Sequence, residues 1–275
     1  MTDKSEWQGR VGETWAAEWR RTDRSFGQLT ERLLARTREF TFDTVLDVGC
    51  GAGELSLAIA RGRPDVSVTG VDVSPSLVAT AQDRGSHMAN LAFTCTDAAQ
   101  WQAGPDQAPD LLVSRHGVMF FDNPPAAFEN LARQAQPQAS LMFSCFRKPA
   151  ENPFFTDVLR LLPSAPPPPD PDAPGPFAFA DRDHVIPILR AGGWENIVFE
   201  AFDFPMVTGA GEDPIEDAVS YFSAIGPAAA ATREMDKQAR ARFLDRVREL
   251  AQRNCRDGVV SLSAAAWIVT ASKVA

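Results

Sequence analysis

Apolar residues recur along this chain in two rhythms. Between residues 7 and 40 the spacing is helical: Trp7, Val11, Trp15 and Trp19 stand four apart, and Phe26, Leu29, Leu33 and Leu34 share a second face. From 44 to 146 short apolar runs alternate with helical patterns. The runs at 44–48, 66–71, 91–95, 110–114 and 139–146 predict strands, and 53–61, 75–84 and 124–135 predict helices. Such alternation implies a parallel sheet with helices on both faces. The pattern then breaks. Pro163 through Pro176 holds eight prolines, whose fixed φ and missing N–H groups exclude helix or central strand. A stiff surface connection and an active-site flap are both open readings there. Asp181 predicts the cap of a helix to about Arg190, ended by Gly192 and Gly193. A strand over Glu195–Phe204, helices at about 214–224 and 229–254, and a last strand over Ala264–Ser272 complete the reading.

One stretch organises the rest. Val45 to Ala60 opens apolar, passes through glycines at 49, 51 and 53, and continues at helical spacing. It reads as strand, tight turn and helix, with a turn that admits positive φ and lets a ligand press on the main chain. Asp47 sits where the strand meets the turn. A phosphate would be repelled there, so the carboxylate points to a ligand carrying positive charge. Taken alone, such a turn could also be purely structural. In open parallel sheets, however, ligands bind at the carboxyl ends of the strands, and Asp47, Asp72, Asp97 and Ser114 each lie at or near one.

Composition narrows the ligand class. The chain has 275 residues, of which 44% are hydrophobic, and a formal net charge of −9 without a basic run. That length suits one large domain, or one domain with an insertion. The charge disfavours nucleic acid and favours a small molecule. Cysteines 50, 95, 145 and 255 form no close pairs, so neither a disulfide framework nor a zinc site is indicated. The polar N-terminus and the lack of a long apolar run predict a soluble cytoplasmic protein, a monomer or homodimer, that does not enter a membrane.

The motifs together resemble a family. Asp47-Val-Gly-Cys-Gly-Ala-Gly53, then Gly70-Val-Asp72-Val-Ser-Pro75, then Thr96-Asp97-Ala98 are similar to the Rossmann-like S-adenosylmethionine-dependent methyltransferases. The flanks resemble a bacterial subgroup with Trp-rich N-termini. Ser114-Arg115-His116-Gly117-Val118-Met119-Phe120-Phe121 and Asn152-Pro153-Phe154 carry that likeness. The resemblance implies a doubly wound, mostly parallel, seven-stranded sheet with a helical N-terminal extension and a helical insertion before the last strand. It divides the chain into a helical cap or lid at 1–40, a donor-binding core at 41–150, a substrate-side insertion at 151–260 and a closing strand at 261–275. S-adenosylmethionine, with S-adenosylhomocysteine as product, is the implied cofactor, and no metal is expected. Gly49, Gly51 and Gly53 would let the backbone approach its methionine and ribose part. Asp47 would favour the ammonium, Asp72 would accept from both ribose hydroxyls, and Val73 would pack on adenine. Asp97 and the Ala98 N–H would meet the adenine edge, with Ser114 and Arg115 beside the sulfonium. A nicotinamide dinucleotide is the rival, but its fingerprint wants a glycine where this chain has Glu54, and no acid before the turn.

Candidate chemistry lies past the fourth strand. His116 stands where the subgroup pattern has phenylalanine. It is a candidate base or substrate contact, or a substitution without a catalytic role. Arg115 is placed to bind an anionic substrate or to brace the N-terminal helices through a carboxylate. Trp15, Trp19 and Phe120 are candidates to line the substrate side under a lid; the alternative for the tryptophans is docking on the core. The expected activity is methyl transfer to a small molecule with the acceptor atom open. A non-catalytic donor-binding module and a protein methyltransferase are the alternatives.

Overall fold

The computed structural model describes residues 4–164 and 173–274. Four short helices lead: α1 (Lys4–Gln8), α2 (Arg10–Ala17), α3 (Trp19–Ser25) and α4 (Gly27–Thr37). The continuous helical pattern expected over 7–40 is therefore interrupted at Gly9, Glu18 and Phe26, whose backbones leave the helical region. The breaks separate two apolar stripes. Trp7, Val11 and Trp15 border the main cavity, whereas Leu29 and Leu33 of α4 are buried in the core. Periodicity alone registers the shared spacing and not the turns between segments.

The alternating region follows the expected order: β1 (Thr44–Val48), α5 (Glu54–Gly62), β2 (Ser67–Asp72), α6 (Pro75–Gly85), β3 (Leu91–Cys95), β4 (Leu111–Arg115), α7 (Pro124–Gln134) and β5 (Ser140–Phe146). All five strands pair in parallel, in the order β3-β2-β1-β4-β5. β1 and β4 hold the centre because their runs of Val and Leu are buried almost throughout, as a strand covered on both faces requires. Edge strand β3 buries only Phe93. Strand order reverses between β1 and β4, and a crevice opens outside their carboxyl ends.

After β5 come α8 (Pro153–Leu159), α9 (Arg182–Ala191), β6 (Trp194–Gly209), α10 (Pro214–Ala224), α11 (Ala229–Glu234), α12 (Lys237–Arg253), β7 (Cys255–Arg256) and β8 (Val259–Lys273). β8 runs antiparallel between β5 and β6. The sheet has eight strands rather than the expected seven, because the two-residue β7 folds back on β8. Asp257 and Gly258 form its two-residue turn, both at positive φ, as Asp-Gly favours in a tight hairpin. The single helix expected over 229–254 is two. Met235 is extended, and Asp236 caps α12 by accepting from the Ala239 N–H at 2.8 Å. Part of the proline-rich stretch, 165–172, lies outside the described residues. The part that follows returns to the rim, where the Gly175 N–H donates to Met119 O. No helix among the described residues is long and apolar enough to cross a membrane.

Candidate functional site

A cavity of about 1040 Å³ opens at the reversal point. Its floor is the turn after β1, where Gly49, Gly51 and Gly53 have φ of 66°, 56° and 86°. Three glycines serve three purposes. A Cβ on Gly49 would stand 2.7 Å from the Gly117 Cα, so the turns after β1 and β4 close against each other main chain to main chain. A Cβ on Gly51 would meet no protein atom within 4 Å, and Gly51 lines the cavity: this is the bare cradle. Gly53 faces away, toward Phe93 and Ala81. It is not among the cavity-lining residues, so its expected approach to a ligand is replaced by helix–sheet packing.

Three carboxylates arrive on successive strand ends. Asp47 is 1% exposed. Its Oδ2 accepts from the Ser56 hydroxyl at 2.6 Å, while Oδ1 is buried without a partner. Burial pushes its carboxyl up to about 6. Asp72 accepts from the Gly51 and Ser74 N–H groups, one on each oxygen, at 2.9 Å. Burial raises it too, against those backbone donors. Each oxygen keeps lone-pair capacity for a further donor. Asp97 accepts from the Ala99 N–H on Oδ1 and pairs through Oδ2 with Lys4 Nζ at 2.5 Å. Val73 and Ala98 line the same end. No group of three or more His, Cys, Asp or Glu among the described residues is placed to hold a metal ion.

The next wall comes from the end of β4. Ser114 does not reach the cavity: its hydroxyl donates to Val48 O at 2.6 Å and accepts from the Gly117 N–H at 3.1 Å, tying the two turns together behind the wall. Arg115 donates to Thr30 Oγ1 at 2.7 Å and lies 3.6 Å from Asp23, with its guanidinium over Phe26. Its charge is thus directed toward the N-terminal helices. Burial holds Asp23 at about 6 despite that neighbour. His116 takes a left-handed backbone conformation, φ 63°, uncommon outside glycine. Its ring stacks on Phe146 with centroids 4.1 Å apart and meets Phe26 edge-on. Nδ1 lies 3.4 Å from Ser144 Oγ, and Nε2 is buried without a partner. Burial, helped by Arg115, drives the imidazole down to about 3, so it is neutral at ordinary pH.

The N-terminal helices form the remaining cover. Trp7 meets both Trp15 and Phe120 edge-on, with centroids 5.3 Å apart in each pair. Trp19 is turned away: its ring lies beneath the guanidinium of Arg84, 3.8 Å from the centroid, and beside Arg20. It does not line the cavity. Helical spacing groups it with Trp15, and the break at Glu18 separates them. Sequence reasoning missed Lys4 and Asp23, polar residues without a motif around them. It also missed the cavity roles of Phe26, Phe146, Phe155 and Phe177, which come from four separate segments.

Comparison with known proteins bears on residues 45–138 and on the fold. Residues 45–138 match the family model described as a methyltransferase domain. A malonyl-[acyl-carrier protein] O-methyltransferase of Paenibacillus sp. (strain JDR-2) is 30% identical over 105 residues, 37% of this chain and 38% of that protein. A trans-aconitate 2-methyltransferase of Methylobacterium radiotolerans is 40% identical over 82 residues, 30% of each. The chain thus spans well under half the length of these curated relatives. Among solved structures, the YcgJ protein from Bacillus subtilis superposes with a TM-score of 0.55 at 17% identity, covering 90% of this chain and 99% of that one. Phosphoethanolamine N-methyltransferase 2 of Haemonchus contortus gives 0.55 at 15%, covering 95% and 57%. Both likenesses concern the fold. Fold and family match converge on one segment: residues 45–138 of this chain match a methyltransferase domain and carry β1 to β4 of the parallel half of a Rossmann-like, doubly wound sheet.

Proposed function

We propose that the protein transfers a methyl group from S-adenosylmethionine to a small-molecule acceptor. One observation carries the reading: Asp47, Asp72 and Asp97, from three successive strand ends, meet in a single cavity around the bare main chain of Gly51. When bound, the donor supplies a methyl carbon already activated by a sulfonium. The protein's tasks are to hold the partners in line and keep water out. The unpartnered Asp47 Oδ1 fits an ammonium group. Asp72 has an acceptor on each oxygen for a diol, and Val73, Asp97 and Ala98 frame the place for a purine. Asp97 shares Oδ2 with Lys4, so α1 closes this end of the cavity. The cavity continues beyond His116 into space that the donor does not need, which favours an enzyme over a donor-storage module. Calorimetric titration with S-adenosylmethionine, then a screen of acceptors with labelled methyl donor, tests the proposal. Absence of donor binding would overturn it.

A pH dependence follows from Asp47. With its carboxyl at about 6, the free protein holds a proton there at lower pH, and docking a cation against Oδ1 expels it. S-adenosylhomocysteine affinity is expected to fall by up to about tenfold per pH unit below about pH 6. Asp47→Asn is expected to flatten that limb in calorimetry; an unchanged limb would assign it to Asp23. Without ligand the sign is opposite. The raised carboxyl binds its proton more tightly folded than unfolded, so its contribution to stability is present near pH 4 and lost as pH rises through 6.

His116 has the geometry to orient the acceptor. An imidazole near 3 is a weak base at neutral pH, so we assign its free Nε2 to hydrogen bonding rather than to capture of a proton. His116→Phe is expected to leave S-adenosylhomocysteine affinity within about twofold of wild type, since the ring touches none of the three donor-side carboxylates. Once an acceptor is known, unchanged turnover in that variant would remove His116 from the site.

A further inference from the structure

The cavity has two chemically different ends. The donor end carries the three aspartates, whereas the other is walled by Phe26, Phe146, Phe154, Phe155, Phe177 and Phe222. These rings form a nearly continuous set. Phe146 stands 5.1 Å from Phe154 and 5.9 Å from Phe177, and Phe155 meets Phe177 edge-on at 4.8 Å and Phe154 at 6.0 Å. No unengaged cation is buried at this end among the described residues. Arg115 is spent on Thr30 and Asp23, and Arg233 is exposed at the rim. Among the described residues lining the cavity, the buried side-chain atoms without a protein partner are Asp47 Oδ1, Trp7 Nε1 and His116 Nε2. Of these, His116, 8% exposed, is the residue packed against these rings, on Phe146 and Phe26. An anion here would lose its water and gain no counter-charge. A flexible chain would fill the space, but rings set edge to face favour another flat ring.

We infer that the acceptor is an uncharged, planar aromatic molecule that lies among these phenylalanines and presents one hydrogen-bonding group to His116 Nε2. The inference rests on the methyl-donor reading only in assigning this end of the cavity to the acceptor. It separates this site from those built for acidic acceptors, where cationic side chains must meet the substrate's carboxylates. His116 is the specificity-determining contact, and the aromatic wall supplies the affinity. Neutral imidazole suits that task because a charged one would itself need a counter-ion among the rings.

Calorimetry on the full chain tests this in two stages. S-adenosylhomocysteine is titrated first, and the saturated protein is then offered 2-naphthol, naphthalene, 2-naphthoate, trans-aconitate and 1-octanol. The expected order places 2-naphthol tightest, at least about tenfold ahead of 2-naphthoate, with trans-aconitate not detected. His116→Phe is expected to erase the difference between 2-naphthol and naphthalene. Phe155→Asp, a half-buried wall residue remote from the donor end, is expected to weaken 2-naphthol about tenfold or more while S-adenosylhomocysteine binds as before. Equal or tighter binding of 2-naphthoate, trans-aconitate or 1-octanol would overturn the inference, as would an unaffected naphthol preference in His116→Phe. Failure of 2-naphthol alone removes the acceptor class and leaves the donor reading standing. Failure of S-adenosylhomocysteine itself removes both.

Discussion

Asp72→Ala is expected to abolish binding of S-adenosylmethionine and S-adenosylhomocysteine, weakening either by at least about a hundredfold. The carboxylate does two things at once. It holds the Gly51 and Ser74 N–H groups at 2.9 Å, fixing the glycine turn and the start of α6, and under the proposed function its remaining lone pairs meet the ligand. Hydrogen bonds to a charged group contribute about 1.5–3 kcal/mol each, so losing a pair aimed at two hydroxyls accounts for about a hundredfold or more. Asp72→Asn separates the two tasks. An amide oxygen still accepts from one backbone N–H but cannot accept on both sides, so an intermediate loss is expected. Micromolar affinity retained in Asp72→Ala by calorimetry would refute the placement of the donor.

Gly49→Ala is expected to have the largest effect on the fold itself. At φ 66° an L-residue is disfavoured by about 1–2 kcal/mol. The new methyl would also stand 2.7 Å from the Gly117 Cα, and Gly117 in turn faces Val48 O, with a Cβ there only 2.5 Å away. Both obstacles are main chain, with no flexible side-chain end to yield. Overpacking of this kind adds about 1–3 kcal/mol. The combined loss of about 2–5 kcal/mol corresponds to a fall in Tm of roughly 5–15 °C for a chain of this size. Gly51→Ala is the internal control. It shares the positive φ but would meet no protein atom. It should therefore lose the conformational part of this stability, about 1–2 kcal/mol, without the overpacking part, and its further cost should fall on donor affinity. A Gly49→Ala protein melting within about 2 °C of wild type would refute the packing argument.

The parts of the molecule legible in its sequence are those whose chemistry is local. β1, the glycine turn and α5 lie in one continuous stretch, and the acids at or just past the ends of β2 and β3 follow at short intervals, so the convergence of Asp47, Asp72 and Asp97 on one rim is legible in the sequence. In the parallel half most boundaries differ by a residue or so, whereas β6 runs five residues past the expected Phe204 and β8 starts five before the expected Ala264. Larger errors came where one pattern spans a turn. The helical spacing of Trp7 to Trp19 continues through Gly9 and Glu18 although the backbone does not, which is why spacing alone groups Trp19 with Trp15. Ser114 has a polar side chain at a strand end, the same signal as the acids, and its neighbours turned it inward. The Asp257-Gly258 hairpin was legible in principle but stood against a helical pattern ending nearby. The aromatic end of the cavity was not legible at all. Phe26, Phe146, Phe155 and Phe177 are ordinary core-like residues in sequence, and only the fold brings them to one place.

The position of β8 has a consequence for how the molecule is made. It lies between β5 and β6, yet it follows both in the chain, so during synthesis β6 waits without a partner while α10, α11, α12 and β7 emerge. The five parallel strands and the glycine turn after β1 need nothing beyond Phe146 to pair among themselves, so half the sheet can stand before the other half has its central strand. Insertion of β8 joins segments more than a hundred residues apart, as Phe146 meets Ala266, and such long-range closure is slow. The last strand therefore acts as a keystone: until it is seated, the sheet offers two open edges to any neighbouring nascent chain.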